Sequence, residues 1–252
     1  MNVLITCANS RLGKEIIQTL LQEHTLRLWG NAADVGGDVE WIQGDMRDPD
    51  VSWQAVRGID AILHTGEPHS DLPDDELACE QELLDLATRG THVLFKAGVE
   101  AGVKRFVYGS TLEVFESYPD DVFISEMWRP QPTPEPFALT RYLGELTARE
   151  FAREYLVAVT ALRLGKLVIE EDVAGDEADL MWTDVRDAAQ AFALALNRDA
   201  SKQVNFRQRW SLHHICANIP NGKYLIASDY RNGLRGFEPQ HNFESHWQAG
   251  AK

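Results

Sequence analysis

The stretch Thr6-Cys7-Ala8-Asn9-Ser10-Arg11-Leu12-Gly13 lies between a short β-rich run and an amphipathic helical one. A strand–turn–helix joint of this kind can hold a phosphate, because free backbone N–H groups and the helix dipole converge at the helix start. Glycine lets the backbone approach the anion closely, since it lacks a Cβ and tolerates unusual dihedrals. Here only Gly13 supplies one. Metal chemistry is the question raised by His213, His214, His241 and His246. Neighbours on a strand point to opposite faces, and no Cys or carboxylate framework joins these histidines, so no metal site is expected. The acidic stretches 71–82 and 170–179 lack the alternating ligands and the glycine of a calcium loop and read as solvated loops or helix faces. Cys7, Cys79 and Cys216 have neither metal-knuckle nor redox spacing, which points to buried thiols rather than disulfides. The tryptophans are scattered and read as packing residues. A net charge of −15 disfavours nucleic acid, whose binding needs clustered Lys and Arg.

These candidates must be positioned by an α/β scaffold. With 252 residues and 44% hydrophobic content, the chain can fill the core of one domain spanning 1–252, and no repeat or linker divides it. Strands are predicted at 2–6, 25–29, 39–43, 59–64, 105–108 and 157–163. Helices are predicted at 11–23, from about 72 to 102, at 137–155 and at 185–197. Leu12, Ile16, Ile17, Leu20 and Leu21 give the first helix one apolar face, and the proline-rich loop 130–136 delays the helix at 137. This alternation predicts a parallel sheet covered on both faces. No apolar run approaches the roughly 20 residues of a membrane span. The N-terminus runs straight into a strand without a leader pattern, so a cytoplasmic protein is expected.

Several segments, in order, resemble the extended short-chain dehydrogenase/reductase family, the NAD-dependent epimerases and dehydratases. Gly44-Asp45-Met46-Arg47-Asp48 is similar to its Gly-Asp-Leu-x-Asp stretch, and Gly58 to His64 to its fourth-strand signature. Gly98 to Tyr108 is similar to its helix end and fifth strand, and Gly109-Ser110-Thr111-Leu112-Glu113-Val114-Phe115 to its Ser-Ser-x-x-Val-Tyr segment. Val185-Arg186-Asp187-Ala188-Ala189 and Gly236-Phe237-Glu238-Pro239 complete the set. The resemblance covers residues 1–247 and implies a Rossmann-like, doubly wound parallel sheet with a small, shortened C-terminal substrate region, mainly 164–184 and 201–247. It implies NAD or NADP as cofactor, held by Cys7, Asn9, Ser10, Arg11, Leu12, Gly13, Asp45, Met46, Thr65 and Arg141, with Asp45 reaching the adenine amine. A homodimer through 72–102 and 137–155 is implied as well. The short stretch between Gly165 and Val185 looks like the uronate dehydrogenase branch, whose substrates are small sugar acids.

The chain departs from the family where the chemistry is done. Cys7 and Ser10 occupy the first two glycine positions of Gly-x-x-Gly-x-x-Gly. Relatives use Tyr-x-x-x-Lys, in which the ammonium lowers the phenol pKa for proton exchange. The aligned residues here are Phe137 and Arg141. Phenylalanine has no ionisable group, and arginine keeps its charge but has no accessible proton to lose. Of the three catalytic positions, Thr111, Phe137 and Arg141, only Thr111 keeps its chemistry. No Asp or Glu ends the second strand, where NAD users hold a ribose; Asp34 is the nearest candidate. The expectation is a degenerate family member that retains binding of a dinucleotide or another small ligand. The alternative is a working dehydrogenase or epimerase for a small sugar or sugar acid.

Overall fold

Continuous apolar runs such as Val3-Leu4-Ile5 and Ala61-Ile62-Leu63 suit strands buried on both faces, and these residues have no exposed surface. The computed structural model describes residues 1–30, 39–68, 72–220, 222–226, 234 and 236–247. Along the chain come β1 (Asn2–Thr6), α1 (Arg11–Leu20), β2 (Thr25–Trp29), β3 (Glu40–Ile42), α2 (Pro49–Val56) and β4 (Ala61–His64). There follow α3 (Glu76–Asp85), α4 (Thr91–Ala101), β5 (Arg105–Thr111), α5 (Pro136–Glu154) and β6 (Ala158–Leu164). The last part holds β7 (Lys166–Val168), β8 (Trp182–Asp184), α6 (Val185–Leu196), α7 (Phe206–Arg209), β9 (Trp210–Ile215) and α8 (Glu244–Trp247).

Seven parallel strands form one sheet in the order β3-β2-β1-β4-β5-β6-β9. The chain leaves β1 toward one edge and returns to β4 on its other side, so the order reverses between these two strands. In doubly wound sheets that reversal opens a ligand crevice at the carboxyl ends of the strands. Register brings the relevant side chains to this end: Thr6 pairs with Trp29, and His64 with Tyr108. Helices α1 and α6 cover one face, with Leu12, Ile16, Ile17 and Leu20 meeting Ala188, Phe192 and Leu196 in one core. Helices α2, α4 and α5 cover the other, around Phe95, Phe106 and Phe151. Each such side chain contributes about 1.5–3 kcal/mol by leaving water.

The expected fold class is therefore observed, with local differences. The first helix stops at Leu20 rather than residue 23, and the fifth strand continues to Thr111 rather than 108 because β6 pairs with it throughout. The long helix begins at Glu76, not 72, behind an N-cap from Asp75, and widens into a π turn over Leu86–Gly90 before α4. Gly102, at φ 90°, ends α4 in a left-handed cap that favours glycine. Helix α5 starts on Pro136 itself, since proline at the first helical position loses only an N–H that has no helical partner. Helix α2 and strand β9 were not expected from periodicity. No described helix is long and apolar enough to cross a membrane.

Candidate functional site

At the ends of β1 and β4 lies a cavity of about 490 Å³. One wall is the turn after β1. Ser10 caps α1, its hydroxyl accepting from Gly13 N at 2.9 Å. Cys7 stands at φ 49°, the left-handed region that glycine enters without steric cost. Gly13 packs so tightly that a Cβ would come 2.9 Å from Ala8 Cα. The segment after β4 lies across this turn. The Ser10 hydroxyl donates to Glu67 Oε2, and Cys7 Sγ donates to the Glu67 carbonyl at 2.9 Å. Burial, reinforced by the Glu67 charge, pushes the Cys7 thiol up to about 11.

The far end of the cavity is bounded by Trp29, Gly30, Asp45 and Met46. Trp29 Nε1 donates to Gly44 O at 3.0 Å, fixing the indole beside the cavity at the end of β2. Asp45 is gripped by Arg47, whose Nη2 lies 2.7 Å from Oδ2 and which also pairs with Glu82 at 2.7 Å. Gly30 presents no carboxylate for a ribose, and Asp34 lies outside the described residues.

From α5, Phe137 and Arg141, one helical turn apart, line the cavity. The Arg141 guanidinium stacks over the Phe137 ring at 4.6 Å. Arg141 is 5% exposed and its Nε is buried without a hydrogen-bond partner. Tyr108 brings a phenol to this wall, but its hydroxyl donates to Arg141 O at 3.1 Å and burial raises its pKa further. His64 is held between Thr6 Oγ1 at 2.8 Å and Thr91 Oγ1 at 3.1 Å. Burial, and then the Arg141 charge, push its pKa down to about 3. Thr111, at the end of β5, is buried and its Oγ1 accepts from Glu113 N at 3.2 Å as a cap for the next turn. Burial raises the Glu113 carboxyl, with Arg141 opposing.

Of the residues expected to bind a cofactor, Cys7, Asn9, Ser10, Asp45, Met46 and Arg141 line the cavity. Arg11, Leu12, Gly13 and Thr65 do not: Arg11 pairs with Asp172 at 2.6 Å, Leu12 is in the core, and Thr65 is fully buried beside Thr6. Of the three catalytic positions, Phe137 and Arg141 line it and Thr111 does not. Glu67, Trp29, His64 and Tyr108 line it although the sequence reading did not select them. Trp29, His64 and Glu67 lie at or just past the carboxyl ends of β2 and β4, which was the available signal, whereas Tyr108 lies in the middle of β5. Beneath the cavity, Glu145 accepts from Ser110 Oγ at 2.7 Å and from Arg163 at 2.9 and 2.7 Å, all buried. Asp187 accepts from the backbone N–H groups of Gln240 and His241, which ties the C-terminal tail to α6. His213 and His214 are buried on β9, away from His246, which reaches Val173 O at 3.0 Å.

A model of the NAD dependent epimerase/dehydratase family matches residues 3–179. An NAD-dependent glucose-6-phosphate dehydrogenase of Haloferax volcanii is 22% identical over 95% of this chain and 93% of its own. A uronate dehydrogenase of Pseudomonas syringae pv. tomato is 30% identical over 65% of this chain and 58% of its own. Among solved structures, a short-chain dehydrogenase/reductase superfamily protein of Agrobacterium tumefaciens with bound NAD superposes with a TM-score of 0.76 at 20% identity, covering 99% of this chain and 95% of that one. A mutant uronate dehydrogenase of the same organism complexed with NAD gives 0.77 at 18% identity, covering 98% and 88%.

Proposed function

We propose that this chain, which belongs to the NAD-dependent epimerase/dehydratase family, binds a small ligand in the cavity between β1 and β4 and does not perform the family's proton-coupled redox chemistry. The observation that carries this reading is the Phe137–Arg141 stack. It stands where relatives need a phenol and an ammonium, and neither member can exchange a proton near neutral pH. Tyr108 is no substitute, because its hydroxyl is spent on Arg141 O and burial disfavours its ionised form.

The fit to a dinucleotide is also poor. In this fold the pyrophosphate belongs at the N-terminus of α1, where the Glu67 carboxylate already meets Ser10. A second negative group there meets a like charge. Accordingly no reaction step is assigned to a nicotinamide.

The dehydrogenase activities named for the relatives favour a second reading, an active sugar or sugar-acid dehydrogenase in which Thr111 or water replaces the phenol. Isothermal titration with NAD⁺, NADH, NADP⁺ and NADPH, followed by turnover assays on sugars and sugar acids, separates the two. Micromolar binding together with turnover overturns the first reading, and absence of turnover supports it. Pairing of two copies through α3, α4 and α5 is part of the proposal. A monomer at every concentration in light scattering removes it.

A further inference from the structure

Among the described residues, Arg141 is the one cation lining the cavity, and no carboxylate contacts it; the Glu113 charge reaches it only through space. Its side chain makes no hydrogen bond or ion pair among the described residues, although it is 5% exposed and its Nε is sealed from water. Among the described residues the other buried cations are satisfied: Arg163 lies 2.7 Å from Glu145, Lys223 lies 3.0 Å from Asp120, and Arg209 donates to the backbone carbonyls of Ala152, Arg153, Gln203 and Val204. A buried charge left unpaired is destabilising, and evolution or a ligand normally supplies the counter-ion. Phe137 covers a face of the guanidinium, which leaves the planar donor edge as the part able to bond a ligand.

The rest of the cavity limits what that ligand can be. Trp29, Met46, Leu83, Leu86 and Phe137 give it largely apolar walls. Its other charged groups are carboxylates: Glu67 on Ser10 at the turn after β1, and Asp45, paired with Arg47, at the far end. A polyanion reaching the turn after β1 therefore meets the Glu67 charge, whereas a single anionic group at Arg141 does not.

We infer that the cavity is a receptor for a compact organic anion, with one carboxylate or phosphate on Arg141 and a planar or apolar body against Trp29, Met46 and Leu86. This rests on the proposed function, whose ligand it specifies. A carboxylate or phosphate suits the guanidinium because two parallel N–H donors match its oxygens. The positive field of Arg141 is felt inside the cavity, where it contributes to the lowered pKa of His64.

The test is calorimetric titration of the full chain with 1-naphthoate, 1-naphthyl phosphate and the neutral 1-naphthamide, which share one body. At least one anion is expected to bind about 10-fold or more tightly than the amide. Whichever anion is preferred identifies the carboxylate or the phosphate as the group recognised. Arg141→Met is expected to bring the anions down to the level of the amide and to leave the amide unchanged, with Arg141→Lys retaining part of the preference. Equal binding of amide and anions by the native chain overturns the inference, as does no anion binding to about 10 mM. Neither result depends on a variant folding. Charge discrimination in a chain that also turns over NAD would remove the proposed function alone. Its absence in a chain without turnover would remove only this inference.

Discussion

Glu67 and Ser10 share a hydrogen bond at the start of α1, and the same Ser10 hydroxyl accepts from Gly13 N. One side chain thus caps the helix and anchors a carboxylate where the fold would otherwise hold a phosphate. The helix dipole, which favours negative charge at this end, acts on a group belonging to the chain itself.

Glu67→Gln keeps the shape and removes the charge. Affinity for NAD⁺ or NADP⁺ is expected to rise about 10-fold or more, since a like charge within a few ångströms costs on the order of a few kcal/mol near a protein surface. Calorimetry on the native chain and the variant reads this, and unchanged affinity would show that Glu67 does not oppose the dinucleotide.

Restoring the family pair as Phe137→Tyr with Arg141→Lys is expected to yield no NAD-dependent turnover above background on sugars or sugar acids. Glu67 still meets Ser10, and Thr111 still caps the turn that starts at Leu112. Formation of reduced nicotinamide, followed by its absorbance, is the readout. A sharp gain would mean that the remainder of the site is intact.

Gly144 faces the Tyr108 ring across the α5–β5 packing, and a Cβ there would meet Tyr108 Cζ at 2.7 Å. Gly144→Ala is therefore expected to lower stability by about 2 kcal/mol, despite the better helix propensity of alanine. The ring must shift, and its bond to Arg141 O is lost. Urea unfolding measures the change. Repeating it in the Tyr108→Ala background should cancel most of the loss.

Breaking the buried Glu145–Arg163 pair from one side leaves a charge with no partner. Glu145→Leu is expected to cost about 3–5 kcal/mol, and Glu145→Leu with Arg163→Met far less, because the pair's desolvation is then no longer borne. A double-mutant cycle in urea gives both values.

Acid should destabilise the fold through its buried histidines. Burial, then Arg141, hold His64 at about 3, and burial, then Arg163 and His213, hold His214 at about 3. Both lie below the unfolded value near 6.5, so the unfolded chain binds more protons in between and stability rises with pH. The stability is fully present above about pH 7 and is lost as pH falls from about 6.5 toward 3, by about 1.4 kcal/mol per unit for each histidine. Unfolding midpoints at several pH values should show a shallower slope for His64→Asn, which removes one of the two contributions. An unchanged slope would exclude His64 as a source.

The residues of this chain determine much by themselves. Continuous apolar strands alternating with amphipathic helices require a two-faced parallel sheet, and the identities of Cys7, Ser10, Phe137 and Arg141 remove the glycines, phenol and ammonium of the family chemistry. The four-residue spacing of Phe137 and Arg141 also foretells their stacking, since such neighbours share a helix face. Strand β9 was hidden because Trp210-Ser211-Leu212-His213-His214-Ile215 does not alternate, and only pairing with β6 makes it a strand. Helix α2 is short, although Asp48 before Pro49 was a legible cap. Tertiary structure alone decided that Glu67 meets Ser10, that Tyr108 is bound to α5, and that Arg141 lines a cavity with no carboxylate in contact among the described residues. These relations join residues dozens of positions apart. They depend on register across the sheet and on which polar groups burial leaves unmatched, and local sequence carries neither.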